Sequence, residues 1–205
     1  MLTQGCTLGC YIASPWDFIR KIVFININTM NYKISISFLL FLSLFLAPPP
    51  SKEPLPNFQQ VNATLYRGAQ PPVESLKSLS DKGIKTIINL RGASNETRAE
   101  EQQARALGIK FFNLQFPPLS KPDFSQVDQA LALINDPANQ PVFVHCKHGE
   151  DRTGTVIACY RMTHDNWDDE QAIIEAKKFG MSFVQVSMKR FIHKFYEQRI
   201  KSKKS

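Results

Sequence analysis

The sequence predicts an α/β fold in which a central, mostly parallel sheet carries helices on both faces and a helical cluster follows at the carboxyl end. Three observations support this fold: β-branched apolar stretches alternate with helical stretches, glycines follow several helices, and the composition is that of a globular protein. The protein has 43% hydrophobic and 21% charged residues, and this composition excludes a disordered or collagen-like chain. A chain of 205 residues accommodates one domain with appendages.

Four short stretches predict the strands. The second, IKTIINL, is rich in β-branched residues, and the fourth, PVFVH, is a continuous apolar run typical of a buried parallel strand. Helical stretches separate the strands, which indicates crossover connections and a parallel-rich sheet. In chain order the predicted strands are residues 61–66, 84–90, 109–116 and 141–145.

Six helices connect and follow these strands. Glycine stops the first, second and fifth helices, at Gly83, Gly108 and Gly180. Asp123 followed by Gln126 is a capping-box pattern that opens the third helix. In chain order the predicted helices are residues 73–82, 96–107, 123–134, 153–164, 168–179 and 186–200.

An uncharged apolar run precedes the predicted domain. Residues 34–47 (ISISFLLFLSLFLA) follow Lys33, and fourteen residues are too few to span a bilayer, which needs about 20. The run resembles the apolar core of a secretory signal. We therefore expect residues 1–29 to be an upstream extension and residues 30–47 to be a signal peptide or an uncleaved membrane anchor. On this interpretation the protein is exported, to the periplasm or medium, or tethered to a membrane.

The remaining boundaries follow from composition and charge. A proline-rich linker is predicted at residues 48–57, the folded domain at 58–198 and a basic tail at 199–205. The formal net charge of +7 suits anionic partners, and the tail offers contact with an anionic membrane surface. No aromatic residues interleave with its lysines, so nucleic acid is not expected as a partner. The domain is expected to be a monomer.

The cysteines do not predict a disulfide framework or a zinc site. Cys6 and Cys10 fall before the predicted domain, whereas Cys146 and Cys159 lie deep within it. No second Cys or His pair has the spacing that would complete a tetrahedral zinc site. Cys159 lies among apolar residues of a predicted helix and is expected in the core. Neither a metal nor another cofactor is predicted.

The chemistry is predicted at the sequence HCKHGEDRTG, residues 145–154, where a buried strand ends, a tight turn follows and an apolar helix begins. Backbone amides in such a turn, together with a helix N-terminus, form a site for an anion. Cys146 in this position is favoured as a thiolate and hence as a nucleophile. Arg152 can hold two phosphate oxygens with its planar guanidinium. A phosphate-binding loop is therefore predicted between the last strand and a buried helix.

His-Cys, five residues and then Arg-Thr-Gly resembles the signature of the cysteine-based protein tyrosine and dual-specificity phosphatases. The segments LYRGAQP (residues 65–71) and TIINLR (residues 86–91) also resemble the opening of compact bacterial dual-specificity-like members. The resemblance extends over about residues 58–198. It implies a metal-free reaction through a phosphocysteine intermediate.

The resemblance also implies roles for individual residues. Cys146 would be the nucleophile, Arg152 the phosphate binder and Thr153 the hydroxyl that helps the thiolate leave in the second step. His145 would orient the loop and support the thiolate. The remaining loop positions predicted to contact the substrate are Lys147, His148, Gly149 and Glu150.

Two aspartates are candidates for the general acid that protonates the leaving oxygen. Members of the family usually place this aspartate on a loop before the cysteine, and Asp123 fits that position, although it also has a role as a helix cap. A subset of bacterial and lipid-directed relatives carries an aspartate immediately before the loop arginine, where Asp151 lies. We favour Asp151, because a general acid must first be close to the leaving group.

These motifs predict a cysteine-dependent phosphatase that hydrolyses phosphate monoesters. The expected substrates are phosphoproteins, as for a tyrosine or dual-specificity phosphatase. Two alternatives remain: a phosphatase of phosphoinositides or inositol polyphosphates, and a catalytically silent phosphate-binding module. Lys147 and His148 would favour a multiply charged substrate if they extend the positive field over the loop. Otherwise both are ordinary solvated loop residues.

Overall fold

The computed structural model of the protein describes residues 55–201. The strands are β1 (Gln59–Gln60), β2 (Leu65–Ala69), β3 (Thr86–Asn89), β4 (Lys110–Asn113) and β5 (Val142–Cys146). They form one sheet in the order β1-β2-β5-β3-β4. β1 runs antiparallel to β2, and every other neighbouring pair is parallel. The predicted α/β fold with a mostly parallel sheet is confirmed.

Six α-helices lie within the described residues. They are α1 (Leu76–Asp81), α2 (Asn95–Ala106), α3 (Phe124–Asn135), α4 (Asp151–His164), α5 (Asp169–Lys178) and α6 (Val186–Phe195). A 3-10 turn at Val73–Ser75 precedes α1, and another at Pro137–Asn139 follows α3. A π-helical stretch at Tyr196–Lys201 continues α6. The elements agree with the six predicted helices to within a few residues.

The helices cover both faces of the sheet, as predicted. Successive side chains of a strand point to opposite faces, so Phe143 of β5 packs with α1 and α2, whereas its neighbour Val144 packs with α3 to α6. All five residues of β5 are buried, as a central strand between two covered faces requires. Burial of one such apolar side chain contributes about 1.5–3 kcal/mol.

The prediction of a first strand at residues 61–66 is wrong in its bounds. Residues 61–64 form the turn of a short hairpin between β1 and β2, in which the amides of Val61 and Asn62 donate to the carbonyl of Leu65. The Asn62 side chain also accepts from the amide of Thr64 at 2.9 Å. An asparagine that bonds two residues ahead in this way closes a turn, so an apolar stretch is interrupted there.

Among the other differences in bounds, two lie near the end of the sheet that carries the predicted phosphate loop. The predicted strand at 109–116 is only β4 (Lys110–Asn113), because Gln115 has a left-handed φ of 47°. The amides of Leu114 and Phe116 still bond to the carbonyls at the end of β3. The helix predicted at 153–164 begins at Asp151, which brings two further loop residues into its first turn.

The predicted leader at 30–47 and most of the linker at 48–57 lie outside the described residues. Within residues 55–201, no helix is both long enough and apolar enough to cross a membrane. At the other end, Arg199 of the predicted tail forms an exposed ion pair with Asp128 at 2.8 Å. The remaining residues of the tail are described only as far as 201.

Candidate active site

The predicted nucleophile lies at the centre of the sheet. Cys146 is the last residue of β5, between β2 and β3, and its exposed fraction is 3%. Residues 147–150 turn the chain into α4, so the positive end of the α4 dipole faces the turn. Cys146 and the first turn of α4 are thereby placed at the carboxyl edge of the sheet, where parallel α/β proteins bind ligands.

The turn is built around Gly149. Its φ is +76°, and a Cβ at this position would lie 2.4 Å from the carbonyl carbon of Gly68. No side chain fits such a close approach, so the loop backbone rests directly on β2. The carbonyl of Gly149 also accepts a hydrogen bond of 2.8 Å from Nη2 of Arg67. Gly149, predicted as a substrate contact, thus has a structural reason to be glycine.

Arg67, which the sequence did not single out, supports the loop from β2. Its side chain is buried, with an exposed fraction of 1%, and its guanidinium lies 4.2 Å from the centre of the Phe179 ring. Burial lowers the pKa of Arg67 to about 10, against the opposing effects of Glu175 and Cys146. The side chain is still a cation at neutral pH. The available signal was an arginine within a short apolar strand segment, LYRGA.

Arg152 and Thr153 lie in the first turn of α4, close to the nucleophile's strand. Arg152 Nη1 donates to the carbonyl of Leu90, after the end of β3, at 3.3 Å. The Thr153 hydroxyl is buried, and no described residue offers it a hydrogen bond. A buried hydroxyl without a partner is uncommon, and such a group is free to bond to a thiolate or a bound phosphate.

His145 lies on the neighbouring position of β5 and is fully buried. Its Nδ1 is 3.1 Å from the carbonyl oxygen of Cys146, and its Nε2 is 2.7 Å from Oε1 of Glu100. The second distance is that of an ion pair, but the contact lacks the angles of a hydrogen bond. Glu100 Oε2 accepts from Nε2 of Gln70 at 2.7 Å and from Nδ2 of Asn89 at 3.5 Å. Glu100 and Gln70 were not predicted, because they lie on elements distant in sequence from the loop.

Each candidate general acid already has a structural partner. Asp151 Oδ1 accepts a hydrogen bond from the amide of Ser182 at 2.8 Å, which ties α4 to the loop before α6. Asp123 caps α3 in a capping box, where its amide donates to Gln126 Oε1 at 2.9 Å. Asp151 is in the first turn after the phosphate loop, whereas Asp123 opens a different helix. The assignment of Asp151 as the general acid stays a prediction.

The rim of the loop carries basic side chains. Lys147 and His148 are exposed, and neither side chain has a hydrogen bond or ion pair within the described residues. Arg91, just after β3, is partly exposed and donates from Nη1 to the Gln70 side-chain oxygen. Glu150, predicted to contact the substrate, lies against Gly180: a Cβ on that glycine would meet its Cγ at 2.9 Å.

Within residues 55–201, no group of three or more His, Cys, Asp or Glu side chains is placed to hold a metal ion. What the site does offer is a cysteine at the end of a central strand, a tight turn and an arginine in the first turn of the next helix. This arrangement, on a mostly parallel sheet, defines a cysteine-based phosphatase. The family described as a DSP-PTPase phosphatase fused to NAD+ kinase matches residues 50–194, and the chain belongs to that family.

Similarity to individual proteins agrees with the family. The chain is 28% identical over 143 residues to Inositol diphosphatase DSP1 of Oryza sativa subsp. japonica, covering 68% of this chain and 64% of that protein. It is 26% identical over 129 residues to Dual specificity protein phosphatase TpbA of Pseudomonas aeruginosa, covering 62% of this chain and 56% of that one. The chain thus spans less than two thirds of the length of either relative.

A solved structure shows the same fold. The core catalytic domain of the PP-IP phosphatase SIW14 from Saccharomyces cerevisiae, in complex with citrate, superposes with a TM-score of 0.64 and 26% sequence identity. The similarity covers 73% of this chain and 91% of the yeast domain. The predicted cysteine-dependent phosphatase is confirmed at the level of family and reaction class.

Proposed function

We propose that the enzyme removes the terminal phosphate of the diphosphate group in a diphosphoinositol polyphosphate. The observation that carries the proposal is the set of basic side chains on the rim. Lys147 and His148 directly follow Cys146, and Arg91 follows Leu90, whose carbonyl accepts a hydrogen bond from Arg152. A substrate with several phosphates has partners for these side chains, whereas a lone phosphotyrosine has none. Similarity to an inositol diphosphatase and to the fold of a PP-IP phosphatase supports the same substrate class.

The state of the two candidate acids also supports a diphosphate. Both Asp151 and Asp123 are engaged in structural contacts. An alkyl oxygen needs a proton in order to leave, whereas a phosphate group leaves readily as an anion. A site in which the acid is tied to backbone is therefore better suited to a phosphoanhydride than to a simple alkyl phosphate.

The proposed reaction has two displacements at phosphorus. The Cys146 thiolate attacks the terminal phosphorus, an S–P bond forms, and the bond to the bridging oxygen breaks with its electron pair on the leaving phosphate. Arg152 and the loop amides neutralise the charge on the transferred oxygens. Water then attacks the phosphocysteine, its proton passes to a nearby carboxylate or to solvent, and the sulfur leaves as a thiolate stabilised by Thr153.

The test is the ratio of kcat/KM for a diphosphoinositol polyphosphate to that for a phosphotyrosine peptide, measured with the full chain. We expect the ratio to exceed one, to fall in Lys147→Ala/His148→Ala, and to shrink as salt screens charges within about 8 Å at physiological ionic strength. The matched control, Lys77→Ala/His164→Ala, removes the same two residue types from positions that pair with Asp81 and Asp165. A kcat/KM ratio below one would overturn the proposal that the substrate is a diphosphoinositol polyphosphate. So would a ratio that both double variants change equally.

A phosphoprotein substrate is the second candidate, favoured by one observation. Phe183 and Val184 have exposed fractions of 85% and 65%, next to Ser182, whose amide is bound by Asp151. Two exposed apolar side chains beside the loop suit a peptide or an aromatic ring better than a highly charged inositol. If peptides are the substrates, Phe183→Ser should raise KM for phosphotyrosine peptides and leave KM for a diphosphoinositol unchanged. An unchanged KM for the phosphotyrosine peptides would contradict this second candidate.

For the leader, we propose that residues 30–47 direct the chain to or across a membrane. Fourteen uncharged residues behind a single lysine are enough for recognition as a signal and too few for a stable span. A reporter enzyme fused after residue 57 should be exported or membrane-bound when the segment is present. A reporter that stays in the cytosolic fraction would contradict the proposal. The size of the product then separates cleavage near Ala47 from an uncleaved anchor.

A further inference from the structure

Three successive carbonyls of the phosphate loop accept hydrogen bonds from one neighbouring part of the chain. The carbonyl of Lys147 accepts from the backbone amide that follows β2, at 3.3 Å. The carbonyl of His148 accepts from Nδ2 of Asn57 at 3.1 Å, and that of Gly149 accepts from Nη2 of Arg67 at 2.8 Å. All three donors lie on or beside the hairpin of β1 and β2, so this hairpin holds the outer side of the loop.

These hydrogen bonds also fix the direction of the amides that follow. The peptide groups of the loop are trans, and in a planar trans peptide the N–H points to the side opposite the C=O. A carbonyl of His148 that faces the hairpin therefore turns the N–H of Gly149 away from it, and the carbonyl of Gly149 does the same for the N–H of Glu150. No described residue accepts from either N–H group. Because Gly149 is buried and a buried N–H without an acceptor is rare, these amides are available to phosphate oxygens.

Asn57 is itself held in place by contacts on both sides. Its Nδ2 also donates to the carbonyl of Phe179 at 3.3 Å, and the ring of Phe179 lies against the guanidinium of Arg67. Its φ of 51° is left-handed, a conformation that asparagine adopts more readily than most residues. The backbone before it is anchored independently, because the carbonyl of Pro56 accepts from the amide of Ala69 in β2 at 2.9 Å. The side chain of Asn57 therefore reaches the loop from a fixed backbone.

We propose that Asn57 is a positioning residue of the phosphate loop: it holds the His148 carbonyl outward and thereby aims the N–H of Gly149 at the phosphate. Arg67 aims the next N–H group in the same way. Hydrogen-bond donors stabilise the charge on a transferred phosphate most when they already point at it before the reaction. Asn57 acts through the loop backbone and not on the substrate itself, so its role is the same for an ester and for an anhydride.

Asn57→Gly tests the role, because it removes the donor while glycine adopts a positive φ without strain. With an aryl phosphate as substrate, the inhibition constant Ki of inorganic phosphate should rise about 5-fold or more, and kcat should fall by a similar factor. The matched control is Asn166→Gly, in which an exposed asparagine with a φ of 59° is replaced between α4 and α5. Both constants should stay within about two-fold of wild type in the control. An unchanged Ki in Asn57→Gly, or equal changes in the two variants, would overturn the proposal.

NMR of one peptide group separates aiming of the amide from a loss of stability. His148–Gly149 is the only His-Gly pair in the sequence, so ¹³C-carbonyl histidine combined with ¹⁵N-glycine selects its N–H signal in the full chain. Inorganic phosphate should move this signal downfield in the wild type and clearly less in Asn57→Gly, with urea unfolding as the check that the variant is folded. A wild-type signal that does not respond to phosphate would overturn the proposal without any variant. An equal response in a destabilised Asn57→Gly would show that Asn57 only stabilises the fold.

Discussion

Several polar groups lie around the turn that follows Cys146. The buried Arg67 donates to the Gly149 carbonyl of the loop, the N-terminus of α4 faces the loop, and no described residue offers the Thr153 hydroxyl a hydrogen bond. In the proposed reaction the Cys146 thiolate is the nucleophile, and these groups lie where they can contact it or the phosphate that it attacks. At the scale of single residues, the site is therefore organised around one sulfur atom.

Replacing that sulfur is the most direct experiment. Cys146→Ser should reduce turnover of an aryl phosphate to below about one-thousandth of wild type, on the order of 4 kcal/mol of barrier. Binding of inorganic phosphate, measured by calorimetry, should persist because Arg152 and the loop amides remain. In the wild type, a chelator should leave the rate unchanged. Residual turnover above that level would show that another group attacks phosphorus, and loss of activity rescued by zinc would refute a metal-free reaction.

The two aspartates are separated by their dependence on the leaving group. Asp151→Asn should lower kcat by about 10²-fold for alkyl phosphates and much less for aryl phosphates, whose oxygen leaves without a proton. Asp123→Asn should cost at most about 1 kcal/mol of stability, as a weakened cap of α3, and leave this dependence unchanged. The measurement is a plot of log kcat against leaving-group acidity for both variants. If only Asp123→Asn changes the slope, the assignment is reversed.

At the scale of elements, the strand-turn-helix unit from β5 to α4 depends on contact with β2. The turn touches β2 so closely that its middle residue has no room for a side chain. β5 in turn has a strand on each side, paired in register with β2 and β3. The loop therefore takes its shape from its neighbours in the sheet as well as from its own sequence.

This close approach gives a prediction with an internal control. Gly149→Ala should destabilise the fold by more than about 2 kcal/mol and abolish activity, since it adds a clash with β2 to the strain of a positive φ. Gly108 has a similar φ, +75°, but nothing lies within 4 Å of the Cβ that Gly108→Ala would add, so this variant should cost only about 1 kcal/mol and keep kcat. Urea unfolding and turnover are the measurements. Equal effects would show that the contact with Gly68 is unimportant.

The buried face of α4 predicts a dependence of stability on pH. Cys159 is fully buried, and burial raises the pKa of its thiol well above the ordinary value, with a smaller contribution from Asp128. In the unfolded chain the thiol ionises near pH 8.5, so above that pH the unfolded state loses a proton that the folded state keeps. The free energy of unfolding should then fall with rising pH, by up to about 1.4 kcal/mol per pH unit.

Urea titrations between pH 7.5 and 9.5 measure that fall. Cys159→Ala should lose some stability at every pH, because a buried side chain is shortened, but its free energy of unfolding should decline less steeply than that of the wild type. An identical decline in both proteins would mean that another group accounts for the pH dependence.

At the scale of the whole molecule, the sequence predicted most of the fold and only part of the site. Cys146 and Arg152 could be found because one continuous motif contains both. Arg67 and Glu100 could not, because each reaches the loop from a different element and the contact exists only after the sheet has formed. The first strand was misplaced for a local reason: the side chain of Asn62 closes a turn within an otherwise strand-like stretch.

The position of β5 has a consequence for the growing chain. β2 and β3 are made first, yet in the finished sheet they are not neighbours, because β5 pairs with both of them. A chain released from the ribosome before residue 142 therefore carries two strands whose inner edges have no partner. Such edges recruit other strands, so a truncated product would aggregate instead of forming a partial enzyme. Insertion of the strand that ends in Cys146 completes the sheet and creates the nucleophile's site in a single event, late in synthesis.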